Sequence, residues 1–346
     1  MALQMPAEWD AHDRTWMAWP SQGYTLGDTE AEAEEARTTW AAVANATVDF
    51  EPVTMLVPRH EREHARRYLS GRVEILEAEL NDAWMRDIGP TFVFDTDDAG
   101  TTTLGAVNWV FNGWGAQDWA SWDKDQLVGG IVAEAAAAKR IDSALVNEGG
   151  GIHVDGEGNV LATLTVQLDP GRNPEWTRTQ IEAEFESKIG TPNTFWLPRG
   201  LARDSEQFGT RGHVDIVASF TPAGQVLIHD QRDPSHPDHE IMKQIEQSLR
   251  EQFDRAGTPR EFLRVPAPAT LRDLEGFVDY SYINHLVAND SVIACVFGDK
   301  NDAEALEVLA HAYPGREIVP VDARPIFARG GGIHCITQQQ PSLPNA

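Results

Sequence analysis

The chain is short of cysteine, of positive charge and of long apolar runs. Only Cys295 and Cys335 occur in 346 residues. Two cysteines make no disulfide framework, and neither lies in a CxxC or Cys/His zinc spacing. Lys and Arg number 28 against 54 Asp and Glu, a formal net charge of −26. A phosphate backbone would be repelled, which argues against a nucleic-acid partner. No apolar run approaches the ~18 residues needed for a bilayer span. The opening MALQMPAEWDAHDRTW lacks the basic and apolar regions of a signal peptide. The expectation is a cytoplasmic, reduced protein with no membrane partner, in which a thiol stays available for chemistry. The acidic surplus would draw a small cation into a cleft, although it equally serves solubility.

What is present fits a soluble α/β chain. Hydrophobic residues make up 41% and charged residues 24%, enough for one large domain or two ordinary ones. With no low-complexity linker, a single domain over residues 1–346 is expected. Arg14 to Ala18, Val53 to Val57 and Arg72 to Ile75 read as strands. Helices are expected after an Asp28 N-cap, over Glu61 to Leu69, Asp123 to Arg140, Asn173 to Ile189, Asp238 to Ala256 and Asp302 to Tyr313. Short strands accompany them at Asn193 to Leu197, Phe262 to Val265 and Glu317 to Val321. Hairpins are expected at Thr91 to Val107, Ile152 to Leu164, Val214 to Ile228 and Ser281 to Phe297. Anchors at Asp87, His153, His213, His285 and Cys335 recur about every 60 residues, which suggests a closed set of similar units.

Chemistry concentrates in four stretches: NDAWMRDIGP from Asn81, NEGGGIHVDG from Asn147, GHVD from Gly212 and ARGGGIHCITQQQP from Ala328. The pentapeptide GGGIH occurs in two of them. Cys335 follows three glycines, which allow close approach of backbone or ligand, and precedes a polar run; it reads as a nucleophile. Cys295, in SVIACVF, reads as strand core. His213 and Asp215, two apart on an expected strand, would face one cavity and supply an acid/base pair. His153 and His334 read as structural neighbours, and His12, His229, His236 and His239 show no constellation. Asp87, Glu148 and Asp215 together offer three carboxylates to a planar, multi-donor cation such as guanidinium, with Trp84 able to stack on its face.

These motifs, with Arg172-Asn173-Pro174, resemble the agmatine deiminase family, also called the bacterial-type peptidylarginine deiminase family. The likeness runs from MPAEWDAHDRTWMAWP to Gln340. It implies a five-bladed pseudosymmetric α/β propeller (pentein) of ββαβ-type units with the site in the central channel. It implies Cys335 as nucleophile, His213 as acid/base, Asp87 and Asp215 on the guanidinium with Glu148 on the same group, and Trp84 beside Asp87. The implied reaction is hydrolytic deimination, with agmatine giving N-carbamoylputrescine and ammonia on the way to putrescine. No metal or organic cofactor is implied, and association into a homo-oligomer is left open.

The sequence departs from the family around GHVD. Arg211 precedes it and Ile216 follows it, behind a longer loop from Arg203 to Thr210, and Gly332 stands where Asn is frequent. Arg211, if it faced the pocket, would oppose a distal ammonium and suit a carboxylate or neutral tail. The alternatives are another small guanidine, an amidinotransferase, a metallohydrolase using His213 and the carboxylates, or a non-catalytic binding protein.

Overall fold

All four hairpins expected from turn chemistry form in the computed structural model, which describes residues 2–344 except Gln207, Thr270 and Glu275. Thr91–Thr96 pairs antiparallel with Thr102–Val110, Ile152–Val154 with Asn159–Thr163, Ala218–Phe220 with Val226–Asp230, and Leu286–Ala288 with Ser291–Val296. Each hairpin then gains a parallel strand, which a tight turn cannot reach, so a helix makes the crossing. Val128–Ala135 leads to Lys139–Val146 and Arg178–Ile189 to Asn193–Leu197; Asp238–Arg255 leads to Phe262–Pro266 and Asp302–Ala312 to Glu317–Asp322.

A fifth unit is assembled from both ends of the chain. Thr337–Pro341 pairs antiparallel with His12–Ala18, which pairs in parallel with Val53–Val57 after the helix Glu30–Thr47. Glu74–Glu77 extends this sheet, and Ala2–Gln4 edges the sheet of Thr91–Thr96. The described residues therefore form five small mixed sheets. The helices bury one apolar stripe against them. Asp238–Arg255 buries Met242, Ile245, Leu249 and Phe253 at helical spacing. The Phe253 ring lies 4.2 Å from that of Phe195 and 6.2 Å from that of Phe262. Each such side chain contributes roughly 1.5–3 kcal/mol by burial.

Several boundaries differ from expectation for local reasons. The first long helix is capped by Thr29, not Asp28, because Thr29 and Glu32 form a reciprocal capping box. The stretch expected as helix from Asp123 is helical only to Ala135, and Lys139–Val146 joins the sheet instead. Gly129 lets this helix lie against the sheet, since a Cβ there would come 2.3 Å from Asn108 Oδ1. The helix expected from Asn173 starts at Arg178, where Thr177 and Gln180 make a second capping box. Glu61 to Leu69 holds one helical turn, Arg62–Ala65, and the strand expected at Arg72 begins at Glu74. His213 and Asp215 flank and enter the 3₁₀ turn Val214–Ile216, not a strand. Part of the expected Arg203 to Thr210 loop, Gln207, lies outside the described residues.

One buried carboxyl connects this framework to the segment NDAWMRD. Asp125 accepts the backbone N–H groups of Asn81 at 2.7 Å and Asp82 at 3.0 Å. Asn81 returns the contact, its Oδ1 accepting from the N–H of Lys124 at 2.8 Å. Thr25 donates its hydroxyl to Asp82. The chain is thereby fixed three residues before the turn Met85–Ile88. Asp125→Ala leaves two buried N–H donors without acceptors and is expected to cost about 1–3 kcal/mol each at most. Thermal unfolding should show the loss directly. Turnover by the folded fraction should fall through a raised KM, because Trp84 and Asp87 lose their anchor.

Candidate active site

The residues singled out from sequence occupy one recurring structural position. In every unit a polar side chain is carried on the turn just ahead of the first hairpin strand. Asp87 precedes Thr91, Glu148 precedes Ile152, His213 and Asp215 precede Ala218, Asn284 precedes Leu286, and Cys335 precedes Thr337. These turns are tied to one another. The Arg86 N–H donates to the Cys335 carbonyl at 3.0 Å. The Gly150 N–H donates to Asp87 Oδ1 at 3.1 Å, and Asn284 Nδ2 donates to the Asp215 carbonyl at 3.3 Å.

The middle glycine of each GGGIH makes the convergence possible. A Cβ on Gly150 would lie 2.5 Å from His213 Nδ1 and 3.0 Å from both Asp215 Oδ2 and Asp87 Oδ1. A Cβ on Gly331 would lie 2.6 Å from Trp84 Cζ3 and 3.0 Å from Cys335 Sγ. Three ionisable groups thus meet over one glycine, and the thiol and an indole meet over its counterpart.

The charges at this point are only partly compensated. Glu148 is fully buried, but Arg172 Nε reaches both its oxygens at 3.0 and 3.1 Å. Burial would raise its pKa; the Arg172 charge overrides this and takes it down to about 2. Arg172 is itself held by Asp169 and by the Thr210 carbonyl, each at 2.7 Å. Among the described residues Asp87 accepts only from Trp114 Nε1 at 2.9 Å and from Gly150. With no cation in hydrogen-bond contact, burial drives its pKa up to about 6 against the pull of His213.

His213 Nε2 lies 3.2 Å from Glu148 Oε2, and its Nδ1 lies 3.8 Å from Asp87 Oδ1. Burial favours neutral imidazole, but Asp87 and Glu148 win and raise the pKa to about 9. Cys335 Sγ is 3.4 Å from Asp215 Oδ2 and 3.2 Å from Asn284 Nδ2. Burial, then Asp215 and Asp87, push this thiol well above its ordinary range. His213 Nδ1 and Asp215 Oδ1 are buried with no intramolecular hydrogen-bond partner. The arrangement can therefore accept hydrogen bonds from a flat cation at Asp87 and Asp215, set a sulfur beside it, and offer a proton from His213.

Cys335, His213, Asp87, Glu148 and Asp215 are thus brought together, and Trp84 walls the thiol. Trp84 stands edge-on to Trp40, with ring centroids 5.7 Å apart. Asp87 pairs with neither Arg86 nor Arg14, which bind Glu8 and Glu74 respectively. Arg211 is set apart from this cluster. Its Nη1 donates to the Ser205 carbonyl at 3.4 Å, and it lines a surface cleft with residues 115–119. Cys295 is strand core, its thiol directed at the Asn284 carbonyl and pushed up to about 12 by burial. His12, read as isolated, makes a buried contact with Glu51 at 3.2 Å.

Sequence reasoning missed Asn284, Trp114 and Glu8. The signal for Asn284 was the repeat anchor at His285, one residue away; His285 itself turns into the core onto Tyr313. Trp114 adopts a φ of 55° beside Gly113 and Gly115, a bend that brings its N–H onto Asp87. Among the described residues no group of three or more His, Cys, Asp or Glu is arranged to hold a metal ion. Gly150→Ala should leave a folded protein with activity reduced at least about 100-fold, since the methyl displaces His213 or the carboxylates (about 3 kcal/mol of misplacement). Gly331→Ala should instead slow alkylation of Cys335, measured by mass spectrometry.

Comparison with known proteins gives the lineage. The profile of the Porphyromonas-type peptidyl-arginine deiminase family matches residues 4–341. A Streptomyces coelicolor protein with a provisional agmatine deiminase name is 54% identical over 342 residues, 99% of each chain. The agmatine deiminase of Stutzerimonas stutzeri is 37% identical, covering 98% of this chain and 95% of that one. The solved agmatine deiminase of Enterococcus faecalis superposes with a TM-score of 0.88 at 32% identity, over 99% of this chain and 96% of that one. With a family profile spanning nearly its whole length and relatives matched end to end, the chain belongs to the Porphyromonas-type peptidyl-arginine deiminase family.

Proposed function

We propose that this protein is an agmatine deiminase that works through a covalent amidino-thioether on Cys335. One observation carries the mechanism: Asp215 has one oxygen 3.4 Å from the Cys335 sulfur and the other buried without a partner. A guanidinium that donates to this free oxygen and to Asp87 is held with its carbon over the thiol. The five units, closed by pairing of the two chain ends, are read as the blades of a pentein ring with this site at its axis.

In the resting site Asp87 and Asp215 oppose ionisation of the thiol. A bound guanidinium offsets that field, and the thiol proton leaves to solvent. The thiolate attacks the guanidinium carbon, giving a tetrahedral adduct with three nitrogens and one sulfur. His213 gives its proton to one NH₂, the C–N bond breaks, and ammonia departs. The remaining amidino-thioether is attacked by water, which gives one proton to His213; the adduct expels the sulfur as thiolate, the hydroxyl proton passes to that sulfur, and a ureido group and free thiol are left. Asn284 Nδ2, 3.2 Å from the sulfur, steadies the thiolate. Glu148, locked on Arg172, orients His213 and keeps it protonated between turnovers.

A cationic tail suits the surroundings better than an anionic one. Trp114 stacks on Trp119 at 5.4 Å, Trp119 meets Phe208 at 5.5 Å, and Phe208 stacks on Tyr24 at 5.0 Å. This aromatic series leads outward from Asp87 and would favour an ammonium. A cavity of about 60 Å³ beside Phe208 and Gly330 is lined by Asp204, Asp273 and Asp279 together with Arg203, which pairs with Asp273 at 3.0 Å, so carboxylates are in excess there. Arg211 lies on the other cleft. Another small guanidine is the second reading.

Ammonia and ureido product should form from agmatine with a kcat/KM at least about tenfold above that for 4-guanidinobutyrate, the worth of one charge-assisted contact. A preference for the carboxylate-tailed substrate, or arginine as the better one, overturns the tail assignment. Cys335→Ala should abolish turnover; survival of ammonia release rejects the mechanism. The profile of kcat/KM against pH should be a bell. Its acid limb, near about 6, follows protonation of Asp87, which must be ionised to bind a cation. Its alkaline limb, near about 9, follows loss of the His213 proton needed by departing ammonia.

A further inference from the structure

His334 sits between two buried carboxylates. Its Nδ1 lies 2.9 Å from Asp215 Oδ2 and its Nε2 lies 2.8 Å from Glu8 Oε1. Carboxylates only accept when ionised, so both ring nitrogens must donate, and the ring is an imidazolium. The contact cannot swing away, because the His334 backbone is pinned on both sides. Its N–H donates to Asn284 Oδ1 at 3.0 Å, and its carbonyl accepts from Arg86 Nε at 3.3 Å. Glu8 is anchored in turn by Arg86 Nη1 at 3.4 Å and faces His153 Nε2 at 3.7 Å. The chain Glu8, His334, Asp215 thus runs from the N-terminal segment to the reacting sulfur.

We infer that His334, held by Glu8, is a positioning residue that keeps Asp215 ionised and turned so that its second oxygen is free for the substrate cation. The Asp215 oxygen nearer the sulfur is occupied by His334, which leaves Oδ1 as the one available acceptor on that carboxylate. Without the imidazolium, Asp215 would be a buried carboxylate facing Asp87 with only His213 to offset it, and it would take up a proton near neutral pH. The groups facing His334 and Asp215 are Glu8, Arg86, His153 and His285 on the inner side, and Asp87, His213 and Cys335 on the substrate side. Burial, and then Arg86, oppose a charge on His334, and Glu8 and Asp215 together outweigh them.

The inference rests on the guanidine-binding role given to Asp215 above, so its test uses a readout that does not need agmatine turnover. Alkylation of Cys335 by 2-chloroacetamidine, a cation, is compared with that by neutral 2-chloroacetamide across pH 5–9. The ratio of the two rates reports the carboxylates. In His334→Gln the cation preference should fall about tenfold near pH 6 and recover only at higher pH, with the neutral reagent little changed. That fold follows from loss of one charge-assisted hydrogen bond. His153→Gln removes the other histidine beside Glu8, which touches no site carboxylate, and should lower thermal stability without moving the ratio. In agmatine turnover, His334→Gln should raise KM more than it lowers kcat and shift the acid limb to higher pH. An unmoved ratio in folded His334→Gln overturns the inference, as does an equal shift in His153→Gln. If His334→Gln does not fold, Glu8→Gln carries the test: a ratio that falls in the same direction supports the inference, and one that stays at the wild-type value overturns it. A wild-type protein that prefers 2-chloroacetamidine yet leaves agmatine untouched refutes the substrate assignment alone.

Discussion

The site depends on incomplete charge compensation of buried carboxylates. Four of them, Glu8, Asp87, Glu148 and Asp215, are buried in one hub. An isolated carboxylate in such a place costs several kcal/mol, so each needs a partner or a proton. Arg172 serves Glu148, Arg86 and His334 serve Glu8, and His334 serves Asp215. Asp87, among the described residues, accepts from neutral donors only, Trp114 and Gly150. The deficit falls at Asp87 and on the unpartnered oxygen of Asp215, the two places where a guanidinium would supply the missing charge. Binding of a guanidinium and ionisation of the sulfur would then have one cause, because the field that would attract the cation is the field that keeps the thiol protonated.

The geometry that sets this up comes from repetition. Each unit turns its chain just before a hairpin, and five such turns point at one place. Because Thr337–Pro341 pairs with His12–Ala18, the last turn, with Cys335, is fixed by the first long strand and not left on a loose terminus. The Cys335 thiol is thereby held by a sheet with a buried strand on either side of His12–Ala18.

Much of this was legible in the sequence. The hairpins at Asp155-Gly156 and Asn289-Asp290 follow from turn chemistry that depends on neighbours two or three residues away. The period near 60 residues is visible through Asp87, His153, His213, His285 and Cys335. Helix starts were harder, since Thr29 and Thr177 compete with nearby Asp28 and Pro174, and only the reciprocal Glu32 and Gln180 contacts decide. His213 and Asp215 were placed on one face by strand alternation, whereas a 3₁₀ turn does it. Both side chains converge over Gly150 all the same. Asn284 was hidden by its neighbour: His285 looks the more reactive, but its ring is spent on the Tyr282 carbonyl and Tyr313 hydroxyl.

The duplicated GGGIH shows where sequence reading stops. The two copies present identical residues at equivalent turns, and both histidines approach Glu8. Yet His153 accepts the Phe220 N–H at Nδ1, and burial takes its pKa down to about 4, whereas His334 finds Asp215 at Nδ1 and is raised. One ring is neutral and the other charged because a backbone donor faces the first and a carboxylate faces the second. The residue after each copy differs accordingly: Val154 continues a strand beyond His153, and Cys335 sets its sulfur 3.4 Å from Asp215 beyond His334. The pentapeptide specifies a close turn, and the chemistry of each copy is set by residues from other units more than 60 positions away, which no local pattern encodes.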